Sequence, residues 1–191
     1  MEGGVMFSLF IDTHDTTVLL ALYKDEELVN KIEVNNSKAH SEITIPTLLS
    51  LLEQVDITIN NISDIVVVNG PGSFTGERLG VTIAKTLAYS LNIPIRTITS
   101  LEMYLNGTVK QDEYIALSEK NGYFIGKIKN KQIMDYQYLT NQEYLDFKSK
   151  NKVLEPTKVY LKNIMKYAHQ KNTLNPHEVN PFYVKKIEVE K

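Results

Sequence analysis

The chain has 191 residues, 42% of them hydrophobic, and a formal net charge of −2, which gives enough apolar surface for a core and length for one large domain or two small ones. It has no cysteine, which excludes disulfides, thiolate metal sites and a cysteine nucleophile. No apolar run approaches a membrane span, and the N-terminus lacks the basic flank and apolar stretch of a signal peptide, so the expected location is the cytoplasm.

Residues 7 to 34 alternate apolar and polar side chains between turn-like Asp12-Thr13-His14-Asp15 and Lys24-Asp25-Glu26-Glu27. This predicts three short antiparallel strands. The residues before Met6 read as an alternative start or a cloning remnant, because the pattern begins only at Phe7. Ser41 to Val55 then carries Ile45, Leu48, Leu49 and Leu52 on one helical stripe, with Ile43, Leu51 and Val55 on adjoining or opposite positions. An apolar surface that broad fits a helix packed on its own sheet and on a partner, and equally a deeply buried helix. Ser41 is expected as its N-cap and Pro46 in its first turn, with His40 ordering the loop that enters it. His40, Ser41 and Glu42 are consecutive and do not face one another, so they are expected to be structural or interface-forming rather than a catalytic trio.

The strand Ile65 to Asn69 runs into the turn Gly70-Pro71-Gly72-Ser73-Phe74-Thr75-Gly76 and a helix to about Leu91. Glycines serve a chain that turns sharply or is closely approached, and a helix start attracts anions. The spacing G-x-G-x-x-x-G is one residue longer than the dinucleotide fingerprint, and Glu77-Arg78 stands where a P-loop has its lysine and hydroxyl. Glu77 suits the helix dipole and repels a phosphate. A phosphate loop or its relic, and a tight strand-to-helix turn, both remain open on these grounds. Strand, helix, and a strand at Ile95 to Ile98 imply a parallel crossover.

A short helix from Ser100 is expected to stop near Asn106-Gly107, which marks the division into subdomains 1–104 and 105–191. Tyr114 to Leu117 and Tyr123 to Ile128 flank Asn121-Gly122, a hairpin signal. A strand at Gln132 to Tyr138 and helices at Gln142 to Phe147 and Leu161 to Lys171 complete a smaller second half. Residues 1 to 104 hold six Lys/Arg against thirteen Asp/Glu, whereas residues 148 to 191 hold ten against four. Lysines on a solvated helix face account for the basic tail more simply than an RNA-tracking surface does. Arg78 and Arg96 are the chain's two arginines, and Arg78 is expected to fix the glycine turn or a partner's carboxylate.

The string Gly-Pro-Gly-Ser-Phe-Thr-Gly-x-Arg-x-Gly from Gly70 to Gly80 resembles the signature of the bacterial TsaB (YeaZ) family. Matching segments lie in order: Phe10-Ile11-Asp12-Thr13, Ala39-His40-Ser41-Glu42, Thr99-Ser100-Leu101-Glu102 and Pro181-Phe182-Tyr183-Val184-Lys185. The likeness is good over the first half and weak beyond Leu105. Glu77 departs from it, since that position is usually apolar.

The resemblance implies an α/β, actin-like ATPase (ASKHA, ribonuclease H-like) fold of two subdomains with a shortened second one. It implies a non-catalytic subunit that binds a TsaD-like threonylcarbamoyl transferase and a TsaE-like ATPase, forms a homodimer when alone, and contacts tRNA only within the complex. Catalytic relatives bind metal through a His-x-x-x-His pair, which aligns by Leu-Glu with Ser100 and Tyr104. A hydroxyl and a phenol are poor ligands beside imidazole. No catalytic, cofactor or metal residue is therefore expected. The residues expected to form an interface or structural motif are His40, Ser41, Glu42, Ile45, Leu48, Leu49, Leu52, Gly70, Pro71, Gly72, Ser73, Gly76 and Arg78. The alternative is a free-standing actin-like small-molecule kinase or ATPase that uses Asp12 and the turn from Gly70 to Gly76.

Overall fold

The computed structural model describes residues 6–35, 40–105, 114–130 and 132–185. Strand β1 (Phe7–Asp12) sends Leu9 and Ile11 to one side and Phe10 to the other, and all three are fully buried. A strand apolar on both faces belongs in the middle of a sheet. It pairs antiparallel with β2 (Thr17–Lys24) and parallel with β4 (Ile62–Val68). β3 (Glu27–Asn35) and β5 (Ile95–Ile98) form the edges, giving the order β3-β2-β1-β4-β5. The expected meander and parallel crossover are both present, and the sheet is that of the expected actin-like α/β fold.

Helices α1 (His40–Glu53) and α2 (Phe74–Leu91) cover one face. Leu48, Leu51 and Leu52 of α1 join Val81, Ala84 and Ala88 of α2 over Leu9, Ile11, Ile65 and Val67. α2 comes close because Gly76, Gly80, Ala84 and Ala88, spaced by four, are its buried side. On the other face, α3 (Ser100–Leu105) and α5 (Ile164–Ala168) pack Met103, Ile164, Met165 and Ala168 on Phe10, Val66 and Val68.

A second sheet holds β6 (Tyr114–Glu119), β7 (Gly122–Lys129), β8 (Gln132–Thr140) and β9 (Val153–Leu154) in the order β8-β7-β6-β9. Helix α4 (Asn141–Lys150) closes one face through Tyr144. Leu101 and Leu105 of α3 close the other, so α3 is the wedge shared by both sheets. After β9 the chain returns to the first sheet, where α5 packs and Leu174 bridges Ile95.

Several expectations need correction. Helix α1 begins at His40, so Ser41 lies in its first turn rather than capping it, and Pro46 falls one turn deeper than expected. The carbonyl that Pro46 leaves without an N–H belongs to Glu42, four residues back, and both residues are exposed, where water can substitute. The β6–β7 turn is Lys120-Asn121, with Glu119 paired to Gly122. Gly122 is needed by the sheet instead, since a Cβ there would overlap the carbonyl oxygen of Leu139. The last expected helix is short: a single 3-10 turn at Leu161–Asn163 precedes α5, which ends at Ala168. There His169 turns away to Glu26 and Asp64. The stop at Asn106-Gly107, Ala39 and the residues before Met6 lie outside the described residues.

Candidate functional site

The glycine turn is packed from below by the β1–β2 turn. A Cβ on Gly76 would overlap the carbonyl oxygen of Thr13, and one on Gly72 would overlap that of His14. Thr13 Oγ1 donates to the Gly76 carbonyl at 2.6 Å, and Ser73 N–H donates to the His14 carbonyl at 2.6 Å. Gly76 N–H is turned to Ser73 Oγ, Glu77 N–H to Ser73 O, and Gly72 N–H to the Glu77 carboxyl. These amides, which a phosphate cradle would offer to a ligand, are spent inside the protein. Of the two readings that the sequence left open, the structure supports the tight turn.

Asp12 and His14 form a buried pair. Asp12 Oδ1 accepts the His14 backbone N–H at 3.0 Å and lies 2.7 Å from its Nδ1. Burial, the largest single influence, would lower the imidazole pKa, but the charge and hydrogen bond of Asp12 together with the nearby Asp15 and Glu77 outweigh it, so the net shift is upward. Glu77 is 2% exposed, and its Oε2 has no partner among the described residues. Burial pushes its pKa up to about 7, while the Gly72 N–H and His14 pull the other way.

Ser100 and Tyr104 stand against the same turn. Ser100 Oγ donates to the Pro71 carbonyl at 2.6 Å and its N–H to the Gly70 carbonyl at 2.8 Å. Tyr104 lies edge-on to His14, with ring centroids 6.3 Å apart, and burial together with Asp12 pushes its phenol up to about 12. The Ser100 hydroxyl is engaged, and the Tyr104 phenol stays protonated at neutral pH. Glu102 caps α3 by accepting the Thr99 N–H at 2.7 Å, and it also accepts from Tyr167 and Lys171. Among the described residues no three His, Asp or Glu gather as a metal site.

Arg78 meets the glycine turn only through the Phe74 ring and makes no hydrogen bond to the turn's backbone. Its guanidinium lies 3.6 Å from the centroid of Phe74 and its Nε donates to Tyr183 Oη at 2.8 Å. It is one of three places where α2 grips the C-terminal segment: Tyr89 meets His177, and Lys85 Nζ donates to the Val179 carbonyl at 3.0 Å. Phe182 N–H then closes on Asn69 O at 2.7 Å. Arg96 pairs with Asp64. A cleft of about 1590 Å³ opens between the glycine turn and the second sheet, lined by His14, Glu77, Tyr104, Lys120, Tyr138 and Tyr183 among others.

On α1 the expected single stripe splits in two. Leu48 and Leu52 are core residues, each 4% exposed, whereas Ile45 is 43% and Leu49 60% exposed. With Glu42, Pro46 and Glu53 these two form the outer face. His40 Nε2 donates to the Thr16 carbonyl at 3.0 Å and so ties the helix start to the β1–β2 turn. Sequence reasoning missed Thr13 and the Asp12–His14 pair. The glycines at a spacing of four were the available signal of close approach, but nothing local named the approaching residue.

Residues 32–182 match the model of a family described as TsaD, tRNA N6-adenosine threonylcarbamoyltransferase. The tRNA threonylcarbamoyladenosine biosynthesis protein TsaB of Bacillus subtilis (strain 168) is 44% identical over 97 residues, covering 51% of this chain and 42% of that protein. The TsaB of Buchnera aphidicola subsp. Schizaphis graminum is 33% identical over 95 residues, 50% of this chain and 45% of that protein. The matched part is thus less than half the length of these relatives. The solved structure of YeaZ from Pseudomonas aeruginosa superposes with a TM-score of 0.72 at 14% identity, covering 93% of this chain and 99% of that one. At that identity the likeness speaks for the fold alone. The chain belongs to the TsaD family, and the relatives it resembles there are TsaB (YeaZ) proteins.

Proposed function

We propose that the chain is a cytoplasmic, non-catalytic subunit of the machinery that forms threonylcarbamoyladenosine in tRNA, and that it binds and supports a TsaD-like transferase. In this reading it is a homodimer when alone and exchanges into a one-to-one complex. A TsaE-like ATPase joins that assembly, and tRNA is met only within it. The observation that carries the reading is the outer face of α1, where Leu49 stands 60% exposed on a helix whose inner leucines are buried. An apolar stretch rimmed by charge is what a protein interface requires. The engaged Ser100 hydroxyl and the neutral Tyr104 phenol support the absence of metal chemistry at this position.

Light scattering on a sizing column, with the chain alone and mixed with the TsaD-like transferase from the same source, tests the proposal. The expected result is a dimer that gives way to a one-to-one complex, with Leu49→Glu weakening the complex and leaving the fold intact. A monomer that ignores the transferase would sink the reading.

A further inference from the structure

The outer face of α1 has a charge pattern that bears on which partner it accepts. Along it run Glu42, then Ile45, Pro46 and Leu49, then Glu53, all exposed. Two acidic ends flank an apolar middle. The helix, His40–Glu53, contains no lysine or arginine, and Asp56 follows it in a left-handed conformation with φ 55°. Glu53 and Asp56 lie at the C-terminal end, where the helix dipole is already negative and where acidic side chains are unfavourable. Among the described residues neither has an ion-pair partner. Beside them is an apolar notch of about 430 Å³, floored by Leu49, Leu52, Ile57 and Ile59 and rimmed by Glu53 and Asp56.

We infer that this notch is the seat for a lysine or arginine side chain of the transferase, which lays its aliphatic stem on Leu49 and Ile57 and its charge between Glu53 and Asp56. The inference rests on the partner reading above and specifies the chemistry of the contact. A long basic side chain is the residue type that fills an apolar notch and satisfies an acidic rim together. A second copy of this chain fits worse. If two α1 helices pair antiparallel about a two-fold axis, Glu42 of one meets Glu53 of the other. If they pair in parallel, each acid meets its own counterpart. Both arrangements juxtapose like charges, and α1 has no cation to relieve them. RNA is disfavoured more strongly, because its phosphates would meet the same carboxylates. The acidic rim therefore biases the exchange from homodimer towards the complex with a different protein.

The test uses the full chain with Glu53→Lys and Asp56→Lys together, and separately with Leu49→Glu. Calorimetric titration into the TsaD-like transferase is run at low and high salt, and sedimentation is run on each chain alone. The charge-reversed chain is expected to bind the transferase about tenfold or more weakly at low salt, with the difference shrinking at high salt. Its self-association should be unchanged or tighter. Unaltered transferase affinity in the folded, charge-reversed chain would overturn the inference, and would leave the partner reading standing if Leu49→Glu still weakened binding. Failure of the unmodified chain to bind the transferase would overturn both. Loss of self-association on charge reversal, with transferase binding intact, would assign the notch to a second copy instead.

Discussion

Thr13 and Gly76, 63 residues apart, are held together in two ways: the threonine hydroxyl donates to the glycine carbonyl at 2.6 Å, and the threonine carbonyl occupies the space that a Cβ at position 76 would need. Both atoms in conflict would be fixed, one on backbone and one on a new side chain, so neither a rotamer change nor a small shift relieves the overlap. Gly76→Ala is expected to destabilise the fold by about 3 kcal/mol. Urea unfolding checks this. A loss below about 1 kcal/mol would mean that the two turns can separate without cost.

Glu77 makes stability depend on pH. Its folded pKa of about 7 lies above the usual 4.5, so the folded state holds a proton that the unfolded chain releases. The stabilisation from that proton is complete below about pH 4.5 and is lost as pH rises through about 7. A shift of this size corresponds to roughly 3 kcal/mol. Glu77→Gln keeps an acceptor for the Gly72 N–H and has no charge to bury. The variant is expected to lack the wild-type decline between about pH 5 and 8 and to be the more stable protein at pH 8. His14, with its pKa also raised, adds a decline of the same sign above pH 6.5, and that part should persist in the variant. Parallel curves for the two proteins across this range would contradict the assignment to Glu77.

Ser100, which the resemblance aligns with a metal-ligand histidine of catalytic relatives, spends its hydroxyl on the Pro71 carbonyl. Ser100→Ala leaves that carbonyl without this donor in a site where Ser100 is fully buried. The expected loss is about 1 to 3 kcal/mol of stability. Zinc content, measured by elemental analysis before and after the substitution, should not change.

The first sheet was legible because its signals are local. Period-two alternation marked β1 to β3, and glycine punctuation marked the start of α2. The reason for the glycines was not legible, since Thr13 and His14 reach them only through the closed sheet. The same applies to Gly122, where the dipeptide Asn121-Gly122 predicts a turn but the glycine answers to Leu139 on the neighbouring strand. At α1 the leucines were recognised, yet their division into core and surface was not. Leu48 and Leu49 are adjacent in sequence and 100° apart around the helix, and only the direction of the sheet decides which one is buried. The entry to α1 misled for a similar reason, because Pro46 is tolerated past the first turn where its unpaired acceptor faces outwards.

The two faces of α1 should therefore separate in a pair of alanine substitutions. Leu51 is fully buried between α1 and the sheet, so Leu51→Ala leaves a cavity among Leu9, Val67 and their neighbours. It is expected to cost about 2 to 5 kcal/mol. Leu49 already meets solvent, and Leu49→Ala should change stability by less than about 0.5 kcal/mol. The order reverses for association: Leu49→Ala should weaken binding to the transferase by about 1 kcal/mol or more, and Leu51→Ala, at a temperature where it stays folded, should leave it nearly intact. Denaturant titration gives the first comparison and calorimetry the second. If Leu49→Ala has no effect on either, the outer face of α1 does not form the interface and the partner must bind elsewhere on the chain.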